Sequence, residues 1–377
     1  MNSLLDNLPD INFAEKDISI IEAEVITRFE EKIGRTLYPG DPRRQVLLGF
    51  VYYFALQRAN IDFAGKQNLL RYAEEGFIEN LAALVGTARL EPRPAVTVLE
   101  FTLSTNLPGV TVIPKGTRAT PGGSIFFATT ENAEIPAGSL RVTVPALCTR
   151  EGIIGNNFLP GQINRLVDTF PFNSRVTNTT VTQGGADIEA IEPLRERIRI
   201  APESYSSAGP RGAYVYWAKT ANQLIIDVEA HSPSPGVVHV VPLLKNGELP
   251  DQGILNEVYD ICSAEYKRPL TDFVIVSAPV PVEYSISFTY YIARRDSSVS
   301  LTLQQNVLNA VEEYITWQKS KPGRNIDPSM LIKLLRKVGV RPELRDINPG
   351  FRHLEYYQLG VVNRADININ YGGLEDN

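Results

Sequence analysis

The chain has 377 residues, 43% of them apolar and 21% charged, with 37 Lys and Arg against 43 Asp and Glu for a net charge of −6. These proportions are those of an ordinary folded soluble protein of two to three domains, and the acidic balance argues against a nucleic-acid partner, which needs a concentrated basic face. The N-terminus is acidic and polar with no secretion signal, no run approaches the roughly 20 apolar residues of a membrane span, and the two cysteines, Cys148 and Cys262, form no Cys-x-x-Cys pair.

Each cysteine is therefore expected as a buried, reduced thiol in a protein folded in the cytoplasm. The first ninety residues read as helices. Asp17 caps a helix whose face is Ile18, Ile21, Val25, Phe29 and Ile33, ending near Gly34. Asp41-Pro42 repeats the start signal. The helix that follows, from Val46 to Leu56, is apolar all the way round and too short to span a bilayer. Such a helix is buried on every face, and either partner chains or the chain's own β-domain supply the cover. A third helix is expected from about Lys66 to Val85, with Leu70, Ala73, Phe77, Leu81 and Leu84 in register. The candidate interaction residues are Val46, Leu47, Phe50, Val51, Tyr53, Phe54, Phe77 and Leu81.

Glu91-Pro92-Arg93-Pro94 is a linker, because two prolines end a helix and stiffen its exit. Beyond it the period becomes two: Ala95, Thr97, Leu99, Phe101 and Leu103 alternate with Val96, Val98, Glu100 and Thr102, as in a half-buried strand. Short strands continue at 110–113, 125–129 and 140–146, with turns at Pro108-Gly109 and Pro121-Gly122-Gly123. After the Gly184-Gly185 turn comes a charged helix with Ile188, Ile191, Leu194 and Ile198 on one face and Pro193 suited to its first helical position. A further helix is expected near Gly212 to Ala221. Strands at 224–230 and 237–242, a helix from Asp251 to Tyr266 and a strand at 273–277 make a small α+β unit. A strand from Val282 to Ala293, a helix carrying Val299, Leu303, Val307, Val311 and Tyr314, a helix starting at Asp327-Pro328 and ending at Gly339, and an edge strand in 361–370 make another. The expected fold is α+β multidomain: a helical segment at 1–91, a β-rich domain at 92–185, and α+β domains at 186–280 and 281–377.

No chemical motif stands out. The histidines His231, His239 and His353 include no pair at i, i+4, so the zinc-binding His-Glu-x-x-His pattern is absent. There is no phosphate-binding glycine loop and no Gly-x-Ser-x-Gly elbow. Glu248, Asp251 and Glu257 could be drawn into a glycosidase pair, but nothing selects them from other carboxylates. No catalytic, cofactor or metal residue is expected.

The run Gly184-Gly185-Ala186-Asp187, then Leu194-Arg195-Glu196-Arg197-Ile198-Arg199, then Gly209, Tyr214 and Ala218 in the pattern Gly-x-x-x-x-Tyr-x-x-x-Ala, resembles the baseplate J-like protein family. Pro114-Lys115-Gly116-Thr117, Phe126-Phe127-Ala128-Thr129, Gly155-Asn156 and Arg268-Pro269-Leu270-Thr271-Asp272 lie around it in the family's order. Gly184, Gly185, Asp187, Leu194, Arg195 and Arg197 are carried over as markers of the fold. Pro193 departs from the pattern, where an ordinary helix former is expected.

The resemblance implies a non-enzymatic wedge subunit of the baseplate of a contractile phage tail, tailocin or related contractile injection system. Its N-terminal helices would bundle with a second copy and with a smaller wedge protein. Its later domains would join neighbouring wedges in a ring around the central hub and spike, near the sheath, and rearrange to trigger contraction. Such a particle is assembled in the bacterial cytoplasm. Two other classes stay open: a tail-associated enzyme degrading cell-wall glycan, and a receptor- or glycan-binding β-module.

Overall fold

The computed structural model describes residues 4–168, 174–206, 208–265, 267–342 and 347–376. The chain is α+β and forms two compact units: residues 1–89 with 190–202, and residues 90–189 with 203–377. The chain thus leaves the first unit, builds a β-structure, returns for one helix and leaves again.

In the first unit, α1 (Ile18–Ile33) starts where Asp17 accepts the Ser19 amide at 2.8 Å and stops at Gly34, whose φ of 66° only glycine adopts without strain. α2 (Pro42–Lys66) starts at Asp41, which accepts the Arg43 amide at 2.9 Å. Both boundaries match the cap signals in the sequence. The two helices meet through Ile21, Val25, Val51 and Ala55.

The expected third helix is much shorter. Residues 67–77 form successive turns, and α3 covers only Ile78–Leu84. Gly76, at φ 88°, leaves the right-handed helical region, and the Gln67 side chain takes the Glu74 amide at 2.8 Å, so the apolar periodicity is carried by turns. α4 (Ile191–Ile200) packs Leu194 and Ile198 against Ala73, Ile78 and Ala82. Pro193 sits at its third position, not at the first as expected, and is tolerated there because the first turn's amides lack intrahelical partners anyway. Ile188 precedes the helix and is exposed, contrary to its place on the expected face.

The second unit opens with a six-stranded, nearly closed sheet. Its strands come from β1 (Pro94–Leu103), β3 (Arg118–Gly122), β4 (Ile125–Thr129), β6 (Arg141–Glu151), β7 (Arg165–Leu166) and β8 (Ser174–Asn178), while β2 (Thr111–Ile113) and β5 (Ala133–Ile135) pair separately. The order is β7-β3-β4-β6-β1-β8, and the two end strands approach each other. Ala95, Thr97, Leu99, Phe101 and Leu103 of β1 all point inward, onto Phe127, Val144 and Ile163.

Next, α5 (Arg211–Ala221), β9 (Ile225–Ser234), β10 (Val237–Leu244), α6 (Gln252–Ser263) and β11 (Phe273–Val276) form a three-stranded sheet in the order β11-β10-β9. β9 and β10 are an antiparallel hairpin, and α6 carries the chain across to β11, parallel to β10. Tyr266, the expected end of α6, lies outside the described residues.

In the last part, the expected single strand at 282–293 is two: β12 (Val280–Glu283) and β13 (Ile286–Ala293). β12 pairs with β15 (Gln358–Val361), whereas β13 lies between β14 (Arg341–Pro342) and β16 (Ile367–Glu375). The break frees the chain to serve two sheets. β16 is the edge strand expected in the tail, displaced toward the C-terminus. α7 (Ser300–Lys319) and α8 (Pro328–Val338) cover the sheet through Val307, Val311, Tyr314, Leu331 and Leu335. Val299 lies before α7 and is exposed, so the helical face begins later than its periodicity suggested. α8 keeps both sequence signals: Asp327 caps it, and Gly339 ends it at φ 94°.

Candidate functional site

α2 carries most of the candidate interaction residues, and its two faces differ. Val51 is 2% exposed and packs on Ile21 and Ala55 inside the α1–α2 pair. Val46, Phe50 and Tyr53 lie at i, i+4 and i+7, on a stripe turned away from that contact, while Phe54 borders the groove that Ile21 and Val25 of α1 line. Phe50 is 54% exposed, Tyr53 65% and Phe54 48%. Leu47 is half-buried beside them. Tyr52 and Leu56, on a third side, are exposed too. Phe77 is exposed and meets Phe63 edge-on, with ring centroids 6.0 Å apart. Leu81 instead packs on the Ala73–Ile78–Ala82 cluster. Within its own unit, most of this all-round apolar helix is therefore uncovered.

Ion pairs hold the helix where it is. Arg44 reaches Glu22 at 3.0 Å and Arg58 reaches Glu24 at 3.2 Å, both across to α1. Asp62, nearly buried, accepts Lys16 at 2.8 Å, Lys66 at 3.1 Å and the Phe13 amide at 2.9 Å. Its carboxyl is held well below the usual range, first by the Lys16 hydrogen bond and then by the Phe13 amide. The N-terminal strap is thus fastened by polar contacts, while its Leu8, Ile11 and Phe13 stay exposed.

The motif residues do structural work. Gly185 is clamped by Asn156, whose side chain donates to the Gly185 carbonyl at 2.7 Å and accepts its amide at 2.9 Å. Beside it, Ala186 and Arg93 exchange both backbone hydrogen bonds, at 2.7 and 2.9 Å. Asp187 accepts the Ile153 amide at 3.1 Å. Gly184 turns the chain at φ 81°. In the helical unit, Leu194 is fully buried, Arg195 donates to the carbonyls of Leu70 and Ala73, and Arg197 donates to that of Ala88. These arginines satisfy carbonyls of the irregular 67–77 and 85–89 stretches, which no helix ladder serves.

The flanking pieces behave alike. Thr117 and Thr129 both donate to the Pro114 carbonyl, at 2.7 and 2.8 Å. Arg268 donates to the Asp272 carbonyl at 2.8 Å and Asp272 accepts the Tyr214 hydroxyl at 2.7 Å.

The carboxylates considered for glycan chemistry are largely engaged. Asp251 caps α6 through the Ile254 amide at 2.9 Å, and Glu257 pairs with Arg93 at 2.7 Å and accepts Asn222 at 3.0 Å. Cys148 and Cys262 are free and buried, as expected, and burial pushes the Cys262 thiol up to about 12. Among the described residues no group of three or more His, Cys, Asp or Glu could hold a metal ion, and no helix is long and apolar enough to cross a membrane.

The Baseplate J-like protein barrel domain matches residues 98–185, and the Baseplate J-like central domain matches residues 206–278. These are the nearly closed sheet and the α5-to-β11 part. Baseplate protein J of Escherichia phage P2 is 31% identical over 165 residues, which is 44% of this chain and 54% of that protein. The chain thus spans about half the length of that curated relative. A chain in the cryo-EM structure of the anti-feeding prophage baseplate aligns over 92% of this chain and 90% of its own length, at 13% identity and a TM-score of 0.47. Residues 98–185 and 206–278 are thus baseplate J-like domains, and the phage P2 relative points to the same family.

Proposed function

We propose that the chain is a structural wedge subunit of a contractile-tail baseplate, in a phage, a tailocin or a related injection system. Its role is assembly and switching rather than catalysis. α2, with Val46, Phe50, Tyr53 and Phe54, is the surface that bundles with a second copy and with a smaller wedge protein. The later α+β domains join neighbouring wedges in a ring around the hub and spike, near the sheath. Rearrangement of that ring lets the sheath contract.

The observation that carries this reading is the apolar helix left uncovered within its own helical unit. Fully burying a large apolar side chain contributes roughly 1.5–3 kcal/mol. Covering Phe50 and Phe54, each about half exposed, then contributes roughly 1 kcal/mol apiece. The particle forms in the bacterial cytoplasm and the chain ends in the tail baseplate.

Native mass spectrometry on the chain co-expressed with the products of its flanking genes tests this. A complex with more than one copy of the chain and one smaller neighbour is expected. The double variant Phe50→Asp/Phe54→Asp should abolish it while leaving the chain's own melting temperature nearly unchanged. A monomer that ignores every neighbour, or an Asp variant that assembles normally, would overturn the proposal. Activity of the monomer on cell-wall glycan would then favour the enzymatic reading.

A further inference from the structure

The β11-β10-β9 sheet has two faces, and α5 and α6 pack on it. His239 of β10 stands directly opposite His231 on β9 and Ile275 on β11, so the three share one row of one face. Tyr356, from the loop entering β15, inserts at this row. Its ring stacks on His231 at 4.1 Å and 28°, and meets His239 edge-on at 5.5 Å. The Tyr356 hydroxyl lies 3.0 Å from His239 Nδ1, and the Ser277 hydroxyl lies 2.8 Å from His239 Nε2.

A neutral imidazole donates through one nitrogen and accepts through the other, and either hydroxyl can serve either role. The neutral cluster is therefore fully satisfied. Protonation of His239 makes both nitrogens donors, so both hydroxyls must accept and turn their own protons elsewhere. It also puts a charge in a half-buried place, with a second imidazole against the same phenol ring. Burial, and then His231, hold His239 below the ordinary histidine value.

The other charged groups nearby do not reverse this. Tyr357 and Glu355 flank Tyr356 in sequence, and Tyr357 meets its ring edge-on at 5.1 Å. Glu229, two residues before His231 on β9, is held by Arg211 through both oxygens at 2.7 Å. Asp227, further along β9 and facing Lys219, Lys321 and Arg324, has its carboxyl pushed up by burial. Its protonated form suits the folded state, so acid acting there does not loosen it.

We propose that Tyr356, seated between His231 and His239, is an acid-released clasp that holds the C-terminal α+β part on the central sheet. A free histidine protonates near pH 6.5. The clasp is whole above that pH. As pH falls below it, the released imidazole takes a proton before the clasped one does, so stability drains until the clasped form is protonated too.

Hydrogen exchange on the full chain tests this, at about pH 7.5 and about pH 5, after correction for intrinsic rates. The reporters are the amides of Val280 and Gln358, which bond the carbonyls of Tyr357 and Glu355 at 2.8 Å. In the unsubstituted protein they should exchange several-fold faster at the lower pH, and in His239→Gln the two pH values should give the same rate. No acid effect overturns the clasp, and so does an acid effect that persists in His239→Gln. Should that variant fail to fold, NMR titration of the unsubstituted imidazoles decides: His239 protonating below the ordinary histidine value supports the clasp, and protonation at or above it overturns it.

Discussion

Gly184 and Gly185 are adjacent but glycine for different reasons, and the substitution Gly185→Ala isolates the second. A Cβ built on Gly185 would lie 2.5 Å from the Gly152 carbonyl oxygen, 2.9 Å from Asn156 Oδ1 and 3.0 Å from the Ala95 amide nitrogen. Two of these are backbone atoms, fixed in the seam where Arg93 pairs with Ala186, and cannot swing aside. Overpacking of this kind costs about 1–3 kcal/mol. If the seam opens and one of the two Asn156 hydrogen bonds is lost, about 1 kcal/mol more goes with it. Gly185→Ala should therefore destabilise the second unit by about 2–4 kcal/mol. Gly184→Ala is the control. Its Cβ would meet only Val96 Cγ2 at 3.7 Å, so the cost is that of an L-residue at φ 81°, about 1 kcal/mol. Urea unfolding of the full chain, followed by hydrogen exchange at the Ala186 and Ile153 amides, measures both. A Gly185→Ala protein no less stable than Gly184→Ala would refute the steric account of the motif.

Two further outcomes follow from the helical unit. Gly49 lies inside α2 with nothing within 4 Å of its Cβ position, so Gly49→Ala should stabilise that unit by about 0.5–1 kcal/mol; thermal unfolding checks this, and a lowered midpoint would mean the site is not open. Asp62→Asn keeps the shape of the strap's anchor but removes the charge that Lys16 and Lys66 share. Cleavage by trypsin after Lys16 should accelerate several-fold, and an unchanged rate would show that apolar contacts hold the strap instead. Because the Asp62 carboxyl is held below its ordinary 3.8, the same loosening should accompany acid in the unsubstituted protein. The stabilisation is fully present above that pH and is lost as pH falls through the depressed value.

Local signals were legible wherever one residue type meets one local need. Asp17, Asp41 and Asp327 each donate no proton and accept the amide two residues on, and Gly34 and Gly339 supply the left-handed ends, so those helices were bounded from the sequence. The inward residues of β1 followed from a period of two. The failures came where a distant group overrides a local pattern. The spacing of Leu70, Ala73 and Phe77 suits a helix, yet Arg195 of α4, more than a hundred residues later, satisfies the Leu70 and Ala73 carbonyls and permits turns. Likewise 282–293 reads as one apolar strand, but two different partners claim its halves.

The candidate surface was only half readable. That α2 is apolar on every side is plain in the sequence; which side is covered depends on where α1 lies, and that is a tertiary fact. Val51 and Phe50 are neighbours of similar hydrophobicity, yet one is sealed against Ile21 and the other faces out. The family resemblance likewise lay in the order of Gly184, Gly185, Asp187 and the α4 arginines, which marks a fold without explaining it. By itself the sequence determined caps, periods and turn glycines, because these depend on the nearest few residues. Only the tertiary structure decided that Asn156 closes on Gly185, that Arg195 serves Leu70, and that Tyr356 sits between two histidines. Those pairings join residues far apart in the chain, and no local property of either partner specifies the other.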